Sequence, residues 1–207
     1  MLKDSTVEKI LEELSSKSPA PGGGTVAGIS GAISSALVSM VCNLTIGKKR
    51  YRQTEDEMKT ILASAEKLRQ EFILLSEKDA EVFNEVMQAY SLPHETDEEK
   101  EERKNRIEET TKRASLVPMD VLRRCESVAQ LSMAVALRGN ENSISDAGVA
   151  SIMAKASAQA ASLNILINLS TITDEDFKGK LKTEQSKVLK TVCDLVEETL
   201  NVVKTKL

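Results

Sequence analysis

Two stretches of this chain carry no charged side chain: Ser18 to Gly47, and Ala156 to Thr173. Each is long enough to raise the question of a membrane span, which takes about 20 apolar residues in a row. Both are dotted with Ser, Thr, Asn, Gln and Gly rather than built of unbroken Leu and Ile, and that composition argues against a span. In a soluble chain, a helix without a charged face is buried on most of its sides. The two stretches are therefore expected to form the central helices of the fold, with no membrane as partner.

The rest of the chain reads as further helices around that pair. Nine Gly and four Pro among 207 residues leave few interruptions, which favours long helices over many short strands. Ser5, Thr54 and Thr96 each stand three residues before a Glu, the spacing at which a hydroxyl and a carboxylate can cap a helix start together. Helices are expected at about 5–17, 25–46, 54–90, 96–116, 119–138, 145–170 and 184–206, with Pro118 a break or only a kink. No segment alternates with β-branched enrichment. The expectation is an all-α multihelical bundle, one domain over 1–207.

Composition narrows the partners. With 28 Lys+Arg against 32 Asp+Glu the net charge is −4, which argues against duplex DNA or an anionic membrane as an electrostatic partner. Three Phe, two Tyr and no Trp provide no platform for stacking bases. Cys42, Cys125 and Cys193 lack metal-ligand or redox spacing, and His94 is the sole histidine, so neither a metal site nor a disulfide framework is expected. The opening residues have no signal-peptide apolar core, and the cytoplasm is the expected compartment.

Four clusters could carry chemistry. The loop Pro19-Ala-Pro21-Gly22-Gly23-Gly24 opens onto the helix at Thr25, so its free N–H groups could meet an anion or the polar edge of a heterocycle, or serve only as a connector. Along the helix at 54–90 the apolar stripe runs Ile61, Ala65, Leu68, Phe72, Leu75, then Phe83, Val86 and Tyr90, and Asp79 fills its one gap. A carboxylate on a buried face either shuttles protons at a raised pKa or pairs with a structural partner. The third cluster, Gly139 to Gly148, places Asn140, Asn142 and Asp146 ahead of the second central helix, which Ser143 or Ser145 could cap, while Asn164 and Asn168 lie one turn apart within that helix. Lys48, Lys49 and Arg50 follow the first central helix, where cations suit a helix C-terminus or a carboxylate-bearing ligand. Gly28, Gly31, Ala32, Ser35 and Ala36 form a small-residue stripe that lets a neighbouring helix approach closely.

Taken in order, these segments resemble the C-terminal domain family of formiminotransferase–cyclodeaminase. The resemblance rests on Ser18-Pro-Ala-Pro-Gly-Gly-Gly-Thr-Val-Ala, on Asn43-Leu-Thr-Ile-Gly-Lys-Lys-Arg-Tyr51, on Asp79-Ala-Glu-Val-Phe83 with Tyr90-Ser-Leu-Pro93, on Gly139-Asn140 with Ser145-Asp-Ala-Gly-Val-Ala150, and on Asn164-Ile-Leu-Ile-Asn-Leu169. It implies an all-helical folate enzyme, dimeric or larger, using neither metal nor cofactor and taking a tetrahydrofolate derivative, expected to be polyglutamylated, as substrate. It places the catalytic carboxylate at Asp79. The substrate pocket is expected from Pro21, Gly22, Gly23, Gly24, Asn43, Asn140, Asn142, Asp146 and Asn164, with Lys48, Lys49 and Arg50 receiving glutamate carboxylates. The first reading of the reaction is formimidoyltetrahydrofolate cyclodeamination. Methenyltetrahydrofolate cyclohydrolysis is the alternative, and a non-catalytic folate- or partner-binding dimer is the third reading.

Overall fold

The computed structural model describes Asp4–Leu207. Six helices follow one another: α1 (Val7–Ser15), α2 (Gly23–Thr45), α3 (Glu55–Tyr90), α4 (Asp97–Arg138), α5 (Ile144–Leu169) and α6 (Glu175–Lys206), with short 3-10 turns at Lys49–Tyr51 and Glu141–Ser143. Among the described residues no strand occurs.

The two uncharged stretches do become the centre. α2 packs on α3 and α5, and α5 packs on α2, α4 and α6. Hydroxyls tie the central pair together: Ser34 donates to the Ala150 carbonyl and Ser157 to the Ala27 carbonyl, both at 2.7 Å. One number of each pair rises while the other falls, so α2 and α5 run antiparallel. α2 is apolar enough to cross a membrane, yet thirteen of its 23 residues are buried against protein, and that packing accounts for its composition.

The small-residue stripe meets α3. A Cβ at Gly28 would fall 2.2 Å from the Ser76 hydroxyl, and one at Gly31 would fall 2.4 Å from the Phe72 ring. Ala32 and Ser35 are buried with them, but Ala36 is exposed and lies outside the contact.

Several local expectations need correction. The segments read as 96–116 and 119–138 are one helix, with Pro118 buried inside it. Proline has no N–H for the carbonyl four residues back, here that of Ala114. Asn168 of α5 donates its side-chain amide to that carbonyl at 3.2 Å, so a neighbouring helix replaces the missing bond. The helix expected at 184–206 starts at Glu175, because the Asp174 carboxylate accepts from the Phe177 N–H at 3.0 Å and pairs with Lys112 of α4 at 2.7 Å. Among the three expected capping pairs, Thr96 with Glu99 forms a full capping box. Thr6, not Ser5, caps α1, and Thr54 donates to the Tyr51 carbonyl instead of capping α3. Neither Ser143 nor Ser145 caps α5; Ser143 occupies the N-cap position without a side-chain bond.

Candidate active site

α2 begins at Gly23 without a side-chain cap of its own. Its first N–H groups have no intrahelical partners and must find them elsewhere. Asp79 of α3 reaches them. The Thr25 hydroxyl donates to Asp79 Oδ2 at 3.2 Å, and the Thr25 backbone N–H also bonds the carboxylate. Gly24 makes this approach possible, since a Cβ there would sit 2.1 Å from Oδ1. Asp79 is half-buried and, among the described residues, has no cationic partner. Burial pushes its carboxyl above the ordinary Asp value, and the two Thr25 bonds, which favour the anion, offset that only in part. Asp79 is thus a half-buried carboxylate, neutralised by no cation and facing open space.

That space is a cleft of about 190 Å³ lined by Pro19, Ala20, Gly22, Gly23, Gly24, Asp79, Phe83, Val86, Asn164 and Asn168, with Ala114 and Val82 at its base. Asn164 and Asn168 donate their amide N–H groups to the Ala160 and Ala114 carbonyls. Their own carbonyl oxygens accept no protein hydrogen bond among the described residues. Asn164 flanks Gly23, whose built Cβ would lie 3.5 Å from the Asn164 amide nitrogen. The site therefore offers a carboxyl with a raised pKa, a glycine-lined edge, two free amide oxygens and an apolar wall. Pro21 is half-buried in the same loop, whose Ala20–Pro21 peptide is cis.

The other expected site residues gather elsewhere. Asn43, Lys48, Lys49, Arg50, Asn140, Asn142 and Asp146 lie at the far end of α2, a helix about 34 Å long. Within one chain they do not reach Asp79. Asn140 has a structural task there: its N–H donates to the Thr45 hydroxyl at 2.9 Å and its side-chain amide to the Leu44 carbonyl at 3.0 Å, which completes the end of α2. Its Oδ1 accepts from the Asn142 N–H, and Arg50 pairs with Glu141. Asp146 stands half-buried in the first turn of α5, where a carboxylate suits the helix dipole. Lys48 and Lys49 follow α2 rather than ending it, because the last turn of α2 carries no basic residue. Neither has an acidic partner among the described residues.

Phe83 lines the cleft and Thr25, itself fully buried, bonds Asp79 beside it, and neither belongs to the set expected from the sequence. Thr25 had a visible signal, a hydroxyl in the first turn after three glycines; Phe83 read as ordinary core.

Comparison with known proteins identifies the family. The profile of the formiminotransferase-cyclodeaminase family matches residues 6–187. A methenyltetrahydrofolate cyclohydrolase of Methylorubrum extorquens is 43% identical over 206 residues, 100% of this chain and 99% of that protein. A formimidoyltransferase-cyclodeaminase of Rattus norvegicus is 32% identical over 91% of this chain, which spans only 35% of that longer protein. The crystal structure of a formiminotetrahydrofolate cyclodeaminase from Thermotoga maritima superposes with a TM-score of 0.90 at 29% identity, covering 99% of this chain and 98% of the other. By sequence and by fold, the chain belongs to the formiminotransferase-cyclodeaminase family.

Proposed function

We propose that this protein is a methenyltetrahydrofolate cyclohydrolase, with Asp79 as its general acid/base. The observation that carries the reading is the end-to-end match, at 43% identity, to a free-standing relative of that name. The expectation from sequence put cyclodeamination first, and this match reverses the order.

The chemistry suits one half-buried carboxyl. Water adds to the methenyl carbon between N5 and N10, forming a C–O bond as its proton passes to Asp79 and an electron pair returns to N5. The tetrahedral adduct then breaks its C–N5 bond. Asp79 returns the proton to N5, the adduct hydroxyl loses its own proton to solvent, and a formyl group remains on N10. A carboxyl with a raised pKa holds and gives up that proton at nearly matched cost. The free amide oxygens of Asn164 and Asn168 would accept from the pterin N–H groups, and Gly22–Gly24 would let the ring edge approach the backbone.

The working unit in this reading is a homodimer. Val26, Ile33, Met40 and Leu44 of α2, with Val149, Ile152, Leu163 and Ile167 of α5, are 37–68% exposed. They form one uncharged face with α4 behind it. A surface of that character suits a second copy of itself. The cleft beside it, about 190 Å³, is also smaller than the usual 300–1,000 Å³ of a ligand pocket, as a pocket missing one wall would be. A two-fold axis crossing the middle of α2 would set the copies antiparallel, so that each chain's Lys48–Arg50 end lies beside the other's Gly22–Gly24 loop. In that arrangement Lys48 and Lys49 meet the first glutamate of the folate. Three free cysteines, two of them buried, fit a cytoplasmic, reducing compartment.

Cyclodeamination is the second reading, favoured by the fold match to the Thermotoga enzyme. There N10 attacks the formimino carbon and ammonia leaves, with the same proton traffic. One purified sample tests both. Loss of methenyltetrahydrofolate absorbance faster than the buffer reaction supports cyclohydrolysis, ammonia release from 5-formimidoyltetrahydrofolate supports the second reading, and neither signal defeats both.

A further inference from the structure

α4 carries a proline in its interior, the residue least favourable to a helix. Its level along the helix coincides with the cleft. Glu85 of α3 pairs with Arg113 of α4, and Glu71 with Arg124, so the two helices run antiparallel and Pro118 falls close to the level of Asp79. Cys125 of α4 bonds Ser157 of α5, and the Ala114 carbonyl bonds Asn168, which sets Pro118 opposite Asn164 in the same way. The hydrogen-bond ladder of α4 is therefore interrupted behind the cleft, at the height of its carboxylate. Pro118 itself is buried, and Ala114, one turn before it, lines the cleft.

The missing N–H has a second consequence, on the neighbouring helix. The Ala114 carbonyl, deprived of its helical donor, takes the Asn168 side-chain N–H at 3.2 Å. A side-chain amide carries a donor end and an acceptor end of nearly equal size, and its surroundings decide which way it turns. Here the neighbour decides: a carbonyl only accepts, so the amide nitrogen must face α4. Turning the amide over would set two oxygens against each other and leave a buried carbonyl unpaired. Oδ1 remains as the free atom of the amide, on a residue that lines the cleft. Asn164 shows the contrast, because its amide bonds the Ala160 carbonyl of its own helix and needs nothing from α4. Asn168 reaches across instead, to a carbonyl that is open because residue 118 has no N–H.

We propose that Pro118 is a positioning residue for ligand recognition: it frees the Ala114 carbonyl, which holds Asn168 with Oδ1 fixed as an acceptor for N–H groups of the ligand. The ligand in question is the N–H-bearing pterin of the folate substrate, so the assignment rests on the function proposed above. An acceptor already held in one orientation loses no rotamer freedom on binding, and such preorganisation improves affinity without new contacts. It also selects, because a ligand presenting a lone pair at that point would meet another lone pair. The proline thus weakens its own helix and gives the cleft a defined hydrogen-bond polarity.

The test is a double-mutant cycle on the Kd of 5-formyltetrahydrofolate, a stable folate without the methenyl bridge. Calorimetry gives that Kd for wild type, Pro118→Ala, Asn168→Ala and the double variant. Losing one neutral hydrogen bond should weaken binding roughly three- to fivefold in each single variant. Because Pro118 acts through Asn168, the double variant should bind no more weakly than Asn168→Ala alone, whereas independent effects would multiply to roughly tenfold or more. Multiplying effects, or a Pro118→Ala protein with wild-type Kd, overturns the assignment. If Asn168→Ala does not fold, because it strands the Ala114 carbonyl, the double variant still pairs that carbonyl with the N–H of residue 118. Its Kd then has to match that of Pro118→Ala, and weaker binding overturns the proposal. Turnover of methenyltetrahydrofolate by wild type is followed alongside. Binding without that turnover defeats the cyclohydrolase reading and leaves the cycle to judge Pro118; no binding by wild type defeats both.

Discussion

Replacing Gly24 with Ala would place a methyl group 2.1 Å from Oδ1, 2.5 Å from Cγ and 2.6 Å from Oδ2 of Asp79. Non-bonded carbon contacts rest at about 3.5 Å or more, so the carboxylate has to retreat by about 1 Å. It can do so, because it borders the open cleft. The stability cost is therefore modest, about 1 kcal/mol, or roughly 3 °C in Tm for a chain of this size. Catalysis should suffer far more, since a misplacement of about 1 Å at a reacting group costs on the order of 100-fold. Gly28→Ala supplies the contrast. Its methyl would fall 2.2 Å from the Ser76 hydroxyl and 2.9 Å from the Phe72 carbonyl, and that backbone cannot step aside. It should lose about 1–3 kcal/mol while retaining kcat per folded molecule. The measurements are kcat from methenyltetrahydrofolate absorbance and Tm on the same preparations. A Gly24→Ala protein with wild-type kcat would refute the claim that glycine is there to seat Asp79 for catalysis.

Other outcomes follow from the same geometry. Asp79→Asn should lower kcat by about 10²–10⁴ while folate still binds; near-normal kcat in the folded variant ends the catalytic assignment. The raised Asp79 pKa also gives a signed stability effect. The folded state holds that proton more tightly than the unfolded chain, so the stabilisation is full below the unfolded value of 3.8 and is lost as pH rises through the folded pKa. Relative to Asp79→Asn, wild type should therefore lose stability across that rise, and a difference in Tm that stays flat with pH contradicts the raised pKa. Asn168→Leu should cost about 1–3 kcal/mol by stranding the Ala114 carbonyl, and Pro118→Ala should recover part of that by restoring the helical N–H; strict additivity in denaturant titrations would show that the two are not coupled. Ile33→Asp, placed on the uncharged α2 face, should yield a 22.6 kDa monomer in sedimentation with reduced turnover, whereas a wild type that already sediments as a monomer removes the dimer.

Much of the helical layout was legible because caps, breaks and a 3.6-residue period are local. The period located Asp79 correctly: Phe72, Leu75 and Val82 around it are buried, although over the last turns the buried positions drift from Phe83 and Tyr90 to Val82 and Ala89. The absence of charge in two stretches was enough to make α2 and α5 central. Short range also explains the misses. Pro118 looked like an interruption because its remedy, Asn168, lies fifty residues away on another helix. The start of α6 was placed too late because Lys112, which helps to anchor its Asp174 cap, belongs to α4.

Periodicity within one helix gives the direction in which a residue faces, but neither the neighbour it meets nor its level along the axis. Hence Asp79, the glycine loop and Asn164 could each be singled out from sequence, while their meeting at one end of α2, with Lys48–Arg50 and Asn140 at the other, was decided only by packing. The start of α4 is the plainest case. In the sequence, Lys100, Arg103 and Lys104 are submerged in a run of mixed charge, and only the docking of α4 against α3 and α5 turns them toward one hollow and leaves Glu98, Glu101, Glu102 and Glu109 outside it.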